Sequence, residues 1–555
     1  MRLPAHRGQY VNPDETRVTI RRAVQDAIRE LPRILIDTIS GRLLDKSAQA
    51  ASFESLPVFY KLISSMTTHI DHARIEQDVS QYYRYAMFSH KWEDNEPLFK
   101  KVIRIVVYDL EESLTHHKLQ MFCKIVRDAG LHWAWSDTCC INSGDHFVLQ
   151  EALVAMFKWY RGSTVTIVFL RGVRSPSRRG DLVRSIWNTR AWTFQEYHAS
   201  KVVRFYNEDW TLYMNLDIPN HKESPEIISE MEEATGVSAR ALMALRPGSN
   251  YIREKLCLVS RRKTTLIEDA AYSLLGIFSI SLPVVYGEGD QALGRLLAQL
   301  LTSSGDTSIL AWTGKFGSFN SCLPTNISVF SQLLPPHIPR TITSAEMDTI
   351  TTGLRTSSLN LSLIAILHHR LNELPVPWFV GQRMKLPCIV FKLGSIYRSR
   401  SQRVFRAQTG ALGIVEIRTE EDLPRFGSLY LVHPWIDFLL DRQPVGSVIE
   451  IVPKEEVDDQ SSWIGEDARS LLFTSDPESL RPPSTLFQSD KQMCALRVIT
   501  RLRRPFGALL LTPDLSNVAA YRRVAAESLI TVQVEDITPA VLNKLINSVC
   551  VLDVL

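Results

Sequence analysis

The sequence predicts an α/β fold with a doubly wound parallel sheet, followed by a helical segment and a β-rich C-terminal region. Between residues 84 and 215, short apolar or β-branched runs alternate with amphipathic helical patterns. Helical patterns with few breakers follow between residues 253 and 304, and after residue 346 the pattern changes to short β-like runs. Strands that alternate with helices pair in parallel through right-handed crossovers, so we expect helices on both faces of the sheet.

Four strands and three helices make up the predicted α/β core. The runs that predict strands are residues 85–90, 132–137, 164–170 and 201–206. Apolar residues at helical spacing predict helices over residues 118–129, 146–161 and 186–198. Gly130 stands where a stop signal is expected after the first of these helices.

The rest of the chain divides into four predicted regions. Residues 1–83 are predicted to be a helical N-terminal segment. Residues 216–312 form a helical extension of the core, and residues 313–345 form a linker rich in Ser, Pro, Asn and Thr. Residues 346–555 form a β-rich region of unknown role. Its predicted strands are residues 386–393, 413–418, 428–433, 447–452, 505–511 and 528–534.

The composition limits the class of protein. The chain has 555 residues, of which 45% are hydrophobic and 22% charged, as expected for a globular protein with a sizeable core. A net charge of +3 predicts no strong attraction to nucleic acid or to an anionic membrane. The most apolar stretch, residues 270–286, is broken by serines, a glycine and a proline, so no membrane span is predicted.

Cysteine usage and the first residues indicate the compartment. Eight cysteines without the spacing of a disulfide framework are typical of reduced thiols in a cytosol or nucleus. Residues 1–10 lack the apolar segment of a secretory signal. We therefore expect a cytoplasmic protein.

Polar side chains end the first two predicted strands of the core. Ser89 and His90 end the first strand, and Asp137 ends the second. In an open parallel sheet, ligands bind outside the carboxyl ends of the strands, so these side chains are expected to face one crevice. The alternative is that Ser89 and Asp137 only cap local turns.

The segment over residues 187–196 contains two tryptophans, an arginine and a glutamate. On a helix, Trp192 and Glu196 share a face, so Trp192 would wall a pocket into which Glu196 projects. An apolar wall raises the pKa of a carboxyl group, unless a partner such as Arg190 holds it ionised. The alternative is a structural ion pair between Arg190 and Glu196 beneath two core tryptophans.

Other common site motifs are missing from the sequence. It contains no phosphate-binding loop, no nucleophile elbow and no paired-histidine zinc motif. The adjacent Cys139 and Cys140 are better explained as buried thiols than as metal ligands. The sequence therefore predicts no metal site and assigns no cofactor with certainty.

Three motifs, in order, resemble those of the fungal heterokaryon-incompatibility (HET) domain. Residues 85–92, YAMFSHKW, resemble its first motif, and residues 135–142, WSDTCCIN, resemble its second. Residues 187–196, WNTRAWTFQE, followed by Phe205 and Tyr206, resemble its third.

The resemblance extends beyond these motifs and also has exceptions. Residues 268–278 and 283–289 resemble the helical segment that often follows the HET core in large proteins of mushroom-type (basidiomycete) fungi. Three positions depart from the usual pattern: Glu93 and Ala191 stand where glycine is common, and Phe194 replaces a leucine.

The resemblance implies a role in vegetative incompatibility, in which recognition of non-self triggers growth arrest or death of fused fungal cells. Protein partners or self-association are expected from such a role. The HET core is also similar to Toll/interleukin-receptor (TIR) domains, which have a flavodoxin-like doubly wound sheet. Some TIR domains cleave NAD, and their catalytic glutamate lies on the helix that follows the third strand.

The TIR similarity implies roles for individual residues. Glu196 occupies the place of the catalytic carboxylate, with NAD as the possible substrate. A fixed carboxylate there would stabilise the oxocarbenium-like state of glycosidic cleavage. The residues expected to bind the ligand are Ser89, His90, Trp92, Asp137, Arg190 and Trp192.

Three hypotheses therefore remain open at the level of sequence. The first is a HET-domain effector or signalling protein of incompatibility, and the second is an NAD glycohydrolase that uses Glu196. The third is a self-associating signalling module without chemistry, in which Glu196 and Arg190 are purely structural.

Overall fold

The computed structural model forms two compact units. The first consists of residues 1–296 and 326–331, and the second of residues 297–325 and 332–555. The residues that the structure describes are 10–249, 251–331, 358–398, 403–420, 423, 428–435, 498–499, 501–503, 505–514, 517, 519–534 and 537–555.

The first unit combines one sheet with many short helices. Its strands are β1 (Ile34–Asp37), β2 (Arg42–Asp45), β3 (Tyr85–His90), β4 (Trp133–Trp135), β5 (Val165–Leu170) and β6 (Val203–Asn207). Its helices before β6 are α1 (Pro13–Arg29), α2 (Lys46–Glu54), α3 (Pro57–Ser65), α4 (His72–Tyr82), α5 (Phe99–Val102), α6 (Leu114–Asp128), α7 (Asp137–Cys140), α8 (His146–Gly162), α9 (Asp181–Arg184) and α10 (Ala191–Ala199). After β6 come α11 (Pro225–Thr235), α12 (Ala239–Ala244), α13 (Ile252–Ser260), α14 (Asp269–Tyr272), α15 (Leu275–Phe278) and α16 (Gln291–Ser304), within which the boundary between the units falls.

The strand order of this sheet is β2-β1-β4-β3-β5-β6. Strands β4, β3, β5 and β6 are parallel, which confirms parallel pairing of the four predicted core strands. Every residue of β3 is buried, as expected for a parallel strand that is covered on both faces.

The prediction of a helical N-terminal segment over residues 1–83 is wrong in one respect, because the segment also contains the strands β1 and β2. Strands β1 and β2 pair antiparallel with each other, and β1 pairs antiparallel with β4, so the sheet is mixed rather than wholly parallel. Each of these strands has only four residues, too few to show an alternating pattern in the sequence.

Neighbouring side chains of β3 point to opposite faces of the sheet, because the side-chain period of a strand is two. Phe88 stacks on Phe122 of α6, with ring centroids 4.3 Å apart, and His90 stacks on Phe88. Ser89 points the other way and hydrogen-bonds to Glu196 of α10. The end of β3 thus supplies side chains to both sides of the sheet.

The second unit is rich in strands, as predicted. Its strands are β7 (Trp378–Val380), β8 (Arg383–Lys392), β9 (Ile396–Arg398), β10 (Val404–Thr409), β11 (Gly413–Arg418), β12 (Tyr430–Pro434), β13 (Phe506–Pro513), β14 (Tyr521–Arg523), β15 (Ile530–Val532) and β16 (Val549–Val554). Its further helices are α17 (Ser358–Asn372) and α18 (Pro539–Ser548). The strand predicted at residues 447–452 lies outside the described residues.

These strands form two sheets. Strands β11, β10 and β9 form an antiparallel sheet, and the larger sheet has the order β12-β13-β14-β16-β8-β7. Because β12 also pairs with β8, the pairing of the larger sheet closes on itself. Leu367 of α17, Leu542 of α18 and Leu431 of β12 are fully buried in one apolar core.

None of the described helices combines the length and the apolar character needed to cross a membrane. Within the described part of the chain, no three His, Cys, Asp or Glu side chains come together as a set that would hold a metal ion.

Candidate functional site

A cavity of about 1070 Å³ opens at the carboxyl ends of β3 and β4. The chain leaves β3 toward β4 on one side and returns to β5 on the other, and such a reversal of strand order is where open α/β sheets bind ligands. The volume of the cavity is at the upper limit of pockets that hold small molecules. Six of the seven predicted site residues line it: His90, Trp92, Asp137, Arg190, Trp192 and Glu196.

Ser89, the seventh predicted site residue, lies behind Glu196 and is fully buried. Its hydroxyl donates a hydrogen bond to Glu196 Oε2 at 2.5 Å and accepts one from Trp187 Nε1 at 2.8 Å. Ser89 therefore holds the carboxyl group in place and does not face the cavity.

The Glu196 carboxyl group is almost completely buried. Its pKa is raised to about 8, mainly by burial and also by the nearby negative charge of Asp137, against the opposing effects of Ser89, Arg190 and Arg262. At neutral pH most Glu196 side chains therefore carry a proton, and a small change in surroundings would release it.

Asp137 supplies a second carboxyl group to the cavity from the start of α7. Trp92 donates its indole N–H to Oδ2 at 2.7 Å, while buried Oδ1 has no hydrogen-bond partner among the described residues. Burial raises the pKa of Asp137 to about 6, although the Trp92 hydrogen bond opposes this shift. Two carboxyl groups with different pKa values thus face one cavity, an arrangement suited to acid–base work.

The helix predicted over residues 186–198 is wrong in its first part. Residues Trp187–Thr189 form a 3-10 turn, Arg190 is extended with φ −87° and ψ 143°, and α10 begins only at Ala191. Backbone hydrogen bonds explain this break: Lys263 N donates to Thr189 O at 2.6 Å, and Ala191 N donates to Lys263 O at 3.0 Å. A segment more than 70 residues away therefore fixes the start of the site helix.

The possible Arg190–Glu196 ion pair is not formed. Among the described residues, the Arg190 guanidinium makes no salt bridge or hydrogen bond, although its charge lowers the pKa of Glu196. Arg262 instead lies beneath the turn and donates hydrogen bonds to Arg190 O, Thr193 Oγ1 and Asn188 Oδ1 at 2.8–3.0 Å. Arg190 is thus a cation that faces the cavity.

Trp192 lines the cavity and contacts residues beyond the predicted α/β core. Its side chain lies beside Asp269, whose Oδ1 accepts a hydrogen bond from the Tyr286 hydroxyl at 2.9 Å. Asp269 and Tyr286 also line the cavity. Both belong to segments that the sequence related to the HET extension, so a signal for them was present although no role was assigned.

His90 is a buried, neutral side chain at the cavity wall. Burial and the charges of Lys118 and Arg190 hold its pKa well below its ordinary value. Its Nε2 is 3.8 Å from Glu96 Oε1, and neither ring nitrogen has a hydrogen-bond partner in the described part of the chain. Lys118 and Glu96, which form a buried ion pair beside it, gave no recognisable signal in the sequence.

Glu93, which stands where many HET domains have glycine, connects two loops at this end of the sheet. Its carboxylate contacts Arg171 Nε at 2.8 Å, in the loop after β5, and Lys118 Nζ at 3.4 Å, on α6. These contacts join the segments that follow the two neighbouring strands β3 and β5.

We expect Glu93→Gln to lower the free energy of unfolding by about 1–2 kcal/mol, because a nearly buried Lys118 loses one of its two anionic partners. Urea unfolding followed by tryptophan fluorescence measures this change. Asp94→Asn is the control, since exposed Asp94 makes no hydrogen bond or ion pair within the described residues. Equal stability of the two variants would contradict the role of Glu93.

Comparisons with known proteins bear on the part of the chain that contains this site. Residues 85–179 match the family model described as heterokaryon incompatibility protein (HET). The chain is 30% identical over 226 residues to vegetative incompatibility protein HET-E-1 of Podospora anserina. That match covers 38% of this chain and 16% of HET-E-1. No solved structure matches the chain.

The family match contains only part of the cavity wall. It includes the ends of β3 and β4, with His90, Trp92 and Asp137, and stops before Arg190 and Glu196. Residues on both sides of position 179 therefore contribute to the same cavity.

Proposed function

We propose that this chain acts in vegetative incompatibility, through the region that matches the HET family model, as an effector or signalling protein that arrests growth or kills fused fungal cells. One observation carries the proposal: residues from all three HET-like motifs line a single cavity. A surface built jointly by separate motifs is better explained by a shared task than by independent structural roles. A cytoplasmic location and recognition through protein partners or self-association belong to the same proposal.

The proposal is tested by forced expression of the full chain in a fungal host. We expect growth to slow or stop within a few cell divisions of induction, as measured by colony expansion and dye-permeable cells. The control variant is Gln25→Ala, which changes an exposed side chain of α1 that does not line the cavity. It should be as toxic as the wild-type chain. Normal growth at a high level of folded protein would overturn the proposal.

The cavity also favours a chemical version of this function, namely cleavage of NAD at its nicotinamide bond. Trp92 and Trp192 supply flat apolar walls, and Glu196 supplies a buried carboxyl group to the same cavity. When ionised, Glu196 would stabilise the positive charge that develops on the ribose during cleavage. Arg190, a cation without a protein partner in the described residues, would suit an anionic phosphate.

A TIR-like core is the fold that goes with this version. Numbered along the chain from β3, the parallel strands stand in the order second, first, third, fourth, which is the order of flavodoxin-like sheets. The alternative is a self-associating module without chemistry, in which replacement of Glu196 leaves signalling intact wherever the fold survives.

A further inference from the structure

Two cysteines of the second unit lie directly opposite each other on neighbouring strands. In the antiparallel pairing of β8 with β16, Cys388 is the register partner of Cys550. Opposed residues of antiparallel strands have Cα atoms about 4.5–5.5 Å apart, which is within the range that a disulfide requires. Directly opposed side chains also share a face of the sheet, so the two thiols point the same way.

A side-chain contact agrees with this register. Cys388 Sγ is 3.7 Å from the carbonyl oxygen of Cys550, so the Cys388 thiol lies against the backbone of its register partner. The two cysteines are therefore neighbours through both their strand register and a side-chain contact.

The pair also differs from the other cysteines in its exposure. Cys388 is fully buried, whereas Cys550 is partly exposed. The other cysteines described by the structure are all buried: Cys123, Cys139, Cys140, Cys257 and Cys322. The neighbouring Cys388 thiol lowers the pKa of Cys550, which favours the reactive thiolate. An accessible thiol that attacks and a buried thiol that resolves are the two parts of a reversible disulfide site.

We propose that Cys388 and Cys550 form a reversible disulfide that joins β8 to β16, with a small-molecule disulfide as the oxidant. The Cys550 thiolate attacks one sulfur of the oxidant and releases one small thiol. Cys388 then loses its proton and attacks Cys550 Sγ in the mixed disulfide, which releases the second small thiol. Two protein thiols and one small disulfide thus yield one protein disulfide and two small thiols.

The link would stabilise the larger sheet of the second unit. Strand β8 pairs with β7, β12 and β16, so it is central to the hydrogen bonding of that sheet. A covalent bond across more than 100 residues of chain removes much of the conformational entropy of the unfolded state. We expect the midpoint of thermal unfolding of the second unit to rise by about 10 °C on oxidation.

The test uses the full chain, equilibrated with mixtures of oxidised and reduced glutathione. Peptide mass spectrometry under non-reducing conditions should find the Cys388–Cys550 crosslink in oxidising mixtures, and dithiothreitol should remove it together with the thermal shift. Cys550→Ser and Cys388→Ala should each lack both effects. Cys322→Ser, which changes another buried cysteine of the same unit, should keep both.

Two results would overturn the inference. One is a stable mixed disulfide of glutathione on Cys550 that Cys388 never resolves. The other is the absence of any crosslink in wild-type protein whose folded state is verified by circular dichroism. Because the measurement needs neither growth inhibition nor NAD, it is independent of the proposed function.

Discussion

Replacing Glu196 with glutamine is expected to abolish growth inhibition by the full chain and to reduce nicotinamide release from NAD by about 100-fold or more. Glutamine keeps the size of the side chain and can still accept the hydrogen bond from Ser89, so the fold should be retained. It cannot ionise, and so it cannot stabilise a positive charge in the cavity. Colony growth and chromatographic detection of nicotinamide measure the two effects.

The pH profile of nicotinamide release gives a second measure of the same carboxyl group. Because the pKa of Glu196 is about 8 in the free protein, the ionised fraction increases through neutral pH. We therefore expect kcat/KM to rise with pH, to reach half of its maximum near pH 8 and to level off above about pH 9. A profile that is flat from pH 6 to pH 9 would exclude ionised Glu196 as the group that acts.

Stability should also depend on pH through Glu196. The pKa is raised from 4.5 in an unperturbed side chain to about 8 in the fold, so the folded protein binds this proton more tightly than the unfolded chain. The resulting stabilisation is complete below about pH 4.5 and is lost as the pH rises through about 8. Between about pH 4.5 and pH 8, the free energy of unfolding of the wild-type protein should fall by up to about 5 kcal/mol relative to that of Glu196→Gln. The reason is that one pKa unit corresponds to about 1.4 kcal/mol.

The combination of these results separates the hypotheses. Loss of toxicity and of nicotinamide release in a folded Glu196→Gln protein supports chemistry at this site. Toxicity that persists in the variant, with no NAD turnover in either protein, supports the module without chemistry. Parallel pH–stability curves for the two proteins would contradict the buried, protonated state of Glu196.

The sequence predicted those elements whose signal is local. The predicted strand at residues 85–90 coincides with β3, because a strand buried on both faces reads as a continuous apolar run. The helix predicted over residues 146–161 differs from α8 by one residue, since an amphipathic pattern of four turns is long enough to be distinctive. The gathering of Trp92, Asp137 and Glu196 at one cavity follows from the parallel order of these strands.

The parts that could not be predicted depend on contacts between distant residues. Nothing in the local pattern of residues 186–198 shows that Arg190 is extended, because Lys263 imposes that conformation from another part of the chain. The orientation of Ser89 away from the cavity depends in the same way on Trp187 and Glu196. Local periodicity indicates which elements form, whereas long-range hydrogen bonds decide which side chains reach the site.

Arg262 provides the strongest test of these long-range contacts. Its buried guanidinium donates to Asn188, Arg190 and Thr193 around the start of α10, and it lies 5.1 Å from the centre of the Phe194 ring. We expect Arg262→Met to lower the free energy of unfolding by about 3–5 kcal/mol, because buried acceptors lose a charged donor. Arg261→Met is the matched control, since the Arg261 side chain is exposed, and should cost less than about 0.5 kcal/mol.

Arg262→Lys distinguishes the geometric role of the guanidinium from its charge. Lysine keeps the positive charge but cannot reach three acceptors with a planar fork, so stability should fall between wild type and Arg262→Met. The charge of Arg262 lowers the pKa of Glu196, so Arg262→Met should move the rise of kcat/KM to higher pH, whereas Arg262→Lys should leave it near the wild-type position. If both variants shift the pH profile equally, Arg262 affects Glu196 only through the geometry of the turn at Trp187–Thr189 and not through its charge. If neither variant changes the pH profile, in proteins that remain folded, Arg262 has no effect on the ionisation of Glu196. Its role is then only to hold the backbone at the start of α10.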